Sequence, residues 1–233
     1  SDLRFNLREL ILKNSYIFFI RNTMQFLSFP KGFQDADIIV NGKEYLDEAL
    51  AKKRGVILVT GHFGVWEIMV AWFGLNKYSM LAVGQKQKNS GADTFVNQLR
   101  ENAGIRMIPR KSSLEFMYEA LARNNILTLA SDQDAKKRGI FVKFFSLPAS
   151  TPKGAARFHL ECGSPLIFVT CHLEKPNNHV LDILPVPADS NSNIESITQS
   201  FTLMLEKIII AYPEQYFWFH RRWKTKPPQT EST

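Results

Sequence analysis

Gly55-Val-Ile-Leu-Val-Thr-Gly61-His62-Phe-Gly64-Val-Trp-Glu67 changes from one backbone period to another within thirteen residues. Residues 56–60 form a short, continuous β-branched and aliphatic run, the pattern of a strand buried on both faces. From Val65 to Gly74 the pattern is helical. Between them lies a histidine flanked by glycines, and glycine tolerates the backbone angles of a tight strand-to-helix turn. In open α/β sheets, ligands gather at such turns, beyond the carboxyl ends of the strands.

Outward from this unit the same order repeats. Helix is expected over 5–28, ended by Pro30-Lys31-Gly32, followed by a strand at 38–40 and a helix at 43–53. After the central unit come strand 79–83, helix 91–103, strand 105–108, helix 112–123 and strand 126–131. A turn at Lys136-Lys137-Arg138 then leads to strand 140–144. Thr151-Pro152 reads as a helix cap with proline at the first helical position, opening a helix at 152–162. Strands 165–172 and 179–186, joined by a hairpin at Asn177-Asn178, precede a last helix at 194–211. The repeated strand-then-helix order predicts an α/β fold, a central mostly parallel or mixed sheet covered by helices. The expected organisation is a membrane-proximal amphipathic segment at 1–30, one catalytic domain at 31–228 and a disordered tail at 229–233.

The turn carries the chemistry. On one continuous helix, side chains five residues apart diverge by roughly 140°, so His62 and Glu67 can meet only with His62 on the turn and Glu67 in the helix. In that arrangement the imidazole can take a proton from an alcohol. A carboxylate on its far nitrogen would fix the tautomer and stabilise the imidazolium.

Other groups cluster at similar places. Asp132, Gln133 and Asp134 follow the apolar strand Ile126–Ala130 on the same presumed edge. With no histidine or third carboxylate nearby, the acids predict substrate contact and no metal. The amides after Thr151 could receive a phosphate. Arg221 and Arg222 follow the aromatic run Tyr216-Phe-Trp218, and arginine suits bidentate phosphate binding. His159, His172 and His179 have no partner at readable spacing and are taken as structural.

Composition sets bounds. The 233 residues suffice for one sizeable core. A net charge of +7 points to anionic partners, whether anionic lipid, an acidic carrier protein or nucleic acid, and no nucleic-acid recognition motif is present. Two cysteines, Cys162 and Cys171, are too few for a disulfide framework, which suits a reducing cytoplasm. No apolar run reaches the roughly 18–20 residues of a spanning helix. Residues 5–29 mix apolar side chains with Arg8, Lys13 and Arg21, a combination that suits an interfacial helix or one packed on the core.

His62-Phe-Gly-Val-Trp-Glu67 resembles the His-x4-Asp/Glu signature of glycerolipid-type acyltransferases. The flanking blocks narrow the resemblance to the bacterial lipid A biosynthesis acyltransferases. Those blocks are Ser131-Asp132-Gln133-Asp134, Gly139-Ile-Phe-Val-Lys-Phe-Phe145, Pro148-Ala-Ser-Thr151-Pro-Lys-Gly154, and Pro213 to Pro227 with His220-Arg221-Arg222. The resemblance covers about residues 5–228. It implies transfer of a fatty acyl chain from a thioester, acyl-carrier protein or acyl-CoA, to a glycolipid hydroxyl, in the family that of a lipid A precursor. The implied setting is the cytoplasmic face of the bacterial inner membrane, with no cofactor, metal or nucleic acid.

The resemblance also implies His62 as general base and Glu67 as its orienting acid. Gln85, Lys86, Asp132, Gln133, Arg221 and Arg222 become substrate-binding candidates. The tetrahedral oxyanion would meet backbone amides of the 61–65 turn or Lys86. Where the family often carries Tyr-Arg-Pro, this chain has Gly84-Gln85-Lys86, so the arginine is replaced. That departure leaves room for another glycolipid or an aminolipid as acceptor, or for a non-catalytic carrier- or membrane-binding homologue. Family members usually begin with an apolar membrane segment, and Ser1 resembles the region just after it.

Overall fold

The computed structural model of the chain describes residues 2–34, 36–109, 114–175 and 177–228. The expected tail at 229–233, and residues 112 and 113 of the expected helix at 112–123, lie outside them.

Helix α1 spans Asp2–Leu27 and a short α2 Lys31–Gln34. Strand β1 (Asp37–Asn41), α3 (Lys43–Ala51), β2 (Val56–Thr60), α4 (Trp66–Leu75), β3 (Met80–Gly84) and α5 (Ser90–Asn102) follow. Then come β4 (Arg106–Pro109), α6 (Leu114–Ala122), β5 (Ile126–Ala130), β6 (Ile140–Phe144), β7 (Leu147–Thr151) and α7 (Gly154–Cys162). The chain closes with β8 (Leu166–Lys175), β9 (Asn178–Pro185) and α8 (Ile194–Ala211).

Among the described residues, seven strands form one sheet in the order β1-β9-β8-β2-β5-β3-β4. Only β8 and β9, the hairpin turning at Asn177, pair antiparallel; the other neighbours are parallel. The sheet is therefore mixed and mostly parallel, as the alternation predicts.

Strand β2 lies at its centre and every residue in it is buried. Ile57 and Val59 join Leu127, Phe168 and the inner faces of α6, α7 and α8 in one core. Val56 and Leu58 join Ile126, Ile167 and the inner faces of α3 and α4 in the other. This two-sided burial is what a continuous apolar strand requires.

One expected element is different. Thr151 does not cap a helix; it is the last residue of β7, opposite Ile140 in an antiparallel hairpin with β6. The hairpin turns at Phe145 and Ser146, both at positive φ. Helix α7 begins at Gly154 with no side-chain cap. The buried Arg222 holds the Ser150 carbonyl and the Thr151 hydroxyl, so both groups are already engaged by the time the chain reaches α7.

Helix α1 is anchored by Ser15 Oγ, which donates to the Glu214 carbonyl, and by the buried Phe19 ring against Trp66 and Phe217. Its other face leaves Leu7, Leu10, Tyr16, Ile20 and Met24 exposed. Among the described residues, no helix is long and apolar enough to cross a membrane.

Candidate active site

Strand register builds the site. Parallel β2 and β5 run side by side, Thr60 opposite Ala130 as their last paired residues, and Ser131 N–H donates to the Thr60 carbonyl at 2.8 Å. Two residues beyond that pair, on each chain, stand His62 and Asp132. His62 Nδ1 donates to Asp132 Oδ1 at 2.8 Å. Asp132 is 3% exposed, whereas the His62 side chain keeps 30% of its surface open.

The His62 turn is fastened from several sides. Gly64 N–H donates to the Gln215 carbonyl, Val65 N–H to the Cys171 carbonyl, and Phe217 N–H to the His62 carbonyl, at 2.8, 2.8 and 3.0 Å. Asn22 Nδ2 of α1 donates to the Gly64 carbonyl at 3.1 Å. Gly64 has φ +63°, and a Cβ there would lie 1.9 Å from the Cys171 carbonyl oxygen. Gly64→Ala therefore meets both backbone strain and a backbone clash. It is expected to lower stability by at least about 1–3 kcal/mol, read as a shifted urea midpoint at unchanged slope.

Electrostatics around the pair favour an imidazole that accepts a proton. Burial, the largest single influence, pulls the His62 pKa down. The charge and hydrogen bond of Asp132, with the charge of Glu67, outweigh it and leave the net value above the ordinary 6.5, against a small opposing effect of Arg100. Burial likewise pushes Asp132 up, but the charge and hydrogen bonds of His62 prevail and hold it below the usual carboxylate value. The Tyr216 phenol, buried beside Asp132, is raised well above 10.

The imidazole–Glu67 pair expected from the spacing is not formed. Glu67 lies in the first turn of α4, where the sequence puts it, but its carboxylate turns to Arg100. Arg100 Nη2 donates to Oε1 at 2.5 Å and Nε to Oε2 at 3.0 Å, and Trp66 Nε1 donates to Oε1 at 3.2 Å. Glu67 reaches His62 through its charge, and Asp132 takes the place that Glu67 was expected to fill.

His62, Glu67 and Arg100 border a cleft of about 710 Å³. Gln85, Lys86 and Gln133 line it too, along with Lys88 and the apolar side chains of Trp66, Met69 and Val70. Four of the substrate-contact candidates separate from these. Asp132 is the imidazole's partner. Asp134 Oδ2 accepts from Thr225 and its N–H donates to His220 Nε2, both at 2.9 Å, which ties the loop to the chain's last described segment. Arg221 is exposed and borders no part of the cleft. Arg222 is 2% exposed and turned inward, so a guanidinium expected to meet phosphate is sealed against Ser150 and Thr151. Arg100 escaped the sequence reading altogether: it lies 33 residues from Glu67 with no local motif, and only its place in the last turn of a helix was legible. Among the described residues no group of three or more histidines, cysteines or acids is arranged to hold a metal.

One family model, described as bacterial lipid A biosynthesis acyltransferase, matches residues 6–225. A phosphatidylinositol mannoside acyltransferase of Mycobacterium tuberculosis is 24% identical over 191 residues, 80% of this chain and 60% of that protein. The lipid A biosynthesis lauroyltransferase of Escherichia coli K12 is 29% identical over 196 residues, 81% of this chain and 62% of that protein. A palmitoleoyltransferase of lipid A biosynthesis from the same organism is 29% identical over 195 residues, 81% and 62%. The chain thus spans about 60% of the length of these relatives.

Proposed function

The chain belongs to the bacterial lipid A biosynthesis acyltransferase family, and on that footing we propose that it transfers a fatty acyl chain from a thioester to a hydroxyl of a glycolipid, with His62 as general base. The observation that carries this reading is the His62–Asp132 hydrogen bond at the mouth of the cleft. With Nδ1 committed to Asp132, Nε2 is the nitrogen left to take the hydroxyl proton. The oxygen attacks the thioester carbonyl as its proton passes to Nε2, a tetrahedral oxyanion forms, and the thiolate departs. A thiol pKa of about 8.5 makes it a good leaving group. Asp132 stabilises the imidazolium, which returns its proton to the thiolate. No covalent enzyme intermediate is required.

The Lys86 and Lys88 cations suit an anionic donor or headgroup, acyl-carrier protein or acyl-CoA on one side and a phosphorylated lipid A precursor on the other. A second acceptor reading, another glycolipid, is favoured by the mannoside acyltransferase among the relatives and by Gln85 in place of the family's arginine. The reaction is tested by incubating the protein with acyl-carrier-protein or acyl-CoA thioesters and candidate glycolipids, then reading products by mass spectrometry. An acceptor that gains one acyl mass supports the reading. Thioester left intact, or merely hydrolysed, with every acceptor would sink it.

The exposed apolar face of α1 suits contact with a membrane surface, and the cytoplasmic face of the inner membrane is the setting we propose. Deleting residues 1–28 should abolish flotation with anionic vesicles. If the intact chain also stays in the aqueous fraction at low salt, that face has no membrane role.

Glu67 acts on this chemistry through its charge on His62 and through its hold on Arg100. Glu67→Gln leaves the partly buried Arg100 guanidinium half paired and removes a negative charge that favours imidazolium. It should lower kcat by roughly tenfold to a hundredfold, more than it raises KM, because that charge matters most as the proton arrives. An effect confined to KM would make Glu67 a binding residue only.

A further inference from the structure

Residues 213–225 cross the face where β2 and β5 end, and their one buried cation, Arg222, is not spent on any carboxylate. Nη1 donates to the Ser150 carbonyl at 2.7 Å and Nη2 to the Thr151 hydroxyl, while the guanidinium lies over the Phe144 ring, 5.2 Å from its centre. Every one of these partners is neutral. Nε is buried and has no hydrogen-bond partner.

A cation taken out of water is costly unless an opposite charge is near. The opposite charges are on the loop above. Asp132 and Arg222 line the same internal void of about 10 Å³, room for about one water. Asp134, two residues on, has a buried Oδ1 with no partner. Asp132 acts on His62 through its negative charge, and a guanidinium close by offsets part of that field.

We propose that Arg222 is a positioning residue for the His62–Asp132 pair, the buried countercharge that offsets part of the negative field of Asp132 and Asp134 at the imidazole and thereby sets how readily His62 takes the substrate proton. It touches neither substrate nor imidazole. The burial-driven fall of the Arg222 pKa, opposed by Tyr216, Asp132 and Asp134, runs in the same sense. The other groups that face the pair are Glu67 from α4, Arg100 from α5, and Tyr216 and His220 from the crossing segment. None of these is altered in the test.

The inference rests on His62 being the base, so the primary readout is the imidazole itself. His62 is titrated by NMR with ¹⁵N-labelled histidine in the wild type, Arg222→Met, Asp134→Asn and the double variant. Loss of a positive charge makes an added proton more welcome, so Arg222→Met should raise the His62 titration by about one pH unit. Asp134→Asn should lower it, and the double variant should return it toward the wild-type value. Arg222→Lys keeps the charge without the fork and should titrate close to wild type. An Arg222→Met titration that coincides with wild type, or a double variant no closer to wild type than Arg222→Met, overturns the proposal. If Arg222→Met does not fold, Asp134→Asn decides alone, and an unmoved titration there is equally fatal. In each folded variant the acid limb of kcat/KM should follow the imidazole. A limb that ignores the imidazole defeats the general-base reading and leaves the countercharge inference to the titrations.

Discussion

His62→Ala is expected to lower acyl transfer by about 10²–10⁴-fold, the contribution typical of a positioned general base, with little loss of fold. The imidazole is partly exposed and its turn is held by backbone hydrogen bonds and by Gly64, none of which involves the ring. The measurement is kcat/KM on a glycolipid acceptor beside the wild-type thermal midpoint. Transfer at close to the wild-type rate by the purified variant would remove His62 from the reaction.

Asp132→Asn should come next in size, a fall in kcat of about 10²–10⁴-fold, with an added signature in pH. In the wild type the base works only when neutral, and its pKa is raised, so the rate should fall as pH drops through a midpoint above 6.5. Coupled groups titrate as a pair, so that midpoint belongs to His62 and Asp132 jointly. Asparagine withdraws the charge and hydrogen bond that raise the imidazole, leaving burial to pull it down, so the acid limb should move to lower pH while the plateau collapses. The sign for stability runs the other way. A raised imidazole stabilises the fold fully below the unfolded value and ceases to do so as pH rises through the folded one. Asp132→Asn should accordingly narrow the gap in melting temperature between pH 6 and pH 8. A limb that stays in place would mean that Asp132 does not govern the titration.

The sheet was legible because burial on both faces leaves a local signature. Residues 56–60, 126–130 and 166–171 are mostly apolar runs, and each lies in a strand. The hairpin strand Leu147–Thr151 was not legible, because Thr-Pro at its end carries a strong helix-start signal. What stands against that signal is the pairing with β6, Ile140 opposite Thr151, joined by a hydrogen bond from Arg222, 71 residues later. The site divided in the same way. His62 announced itself through its glycines. The identity of its partner did not, since that depends on which strand lies beside β2, and neither spacing nor composition states the neighbour order. Asp132 was readable as a strand-end acid but not as the acid that faces His62. Glu67 was readable as an acid near His62 but not as the ligand of Arg100, whose position depends on how α5 returns across β3.

The register of β2 against β5 has one more consequence, for how the protein can change. His62 and Asp132 are fixed by the sheet, 70 residues apart, and neither hydrogen bond between their loops involves the chain that extends past β3. Residues 85–88, which supply much of the cleft's polar wall, can therefore vary without displacing the His62–Asp132 pair, while Asn89 stays to cap α5. Under the proposed function, reactivity and taste are housed in separate parts: one welded to the sheet, the other an interchangeable jaw. A lineage, or an engineer, can try new headgroups at the jaw while the chemistry behind it stays in working order.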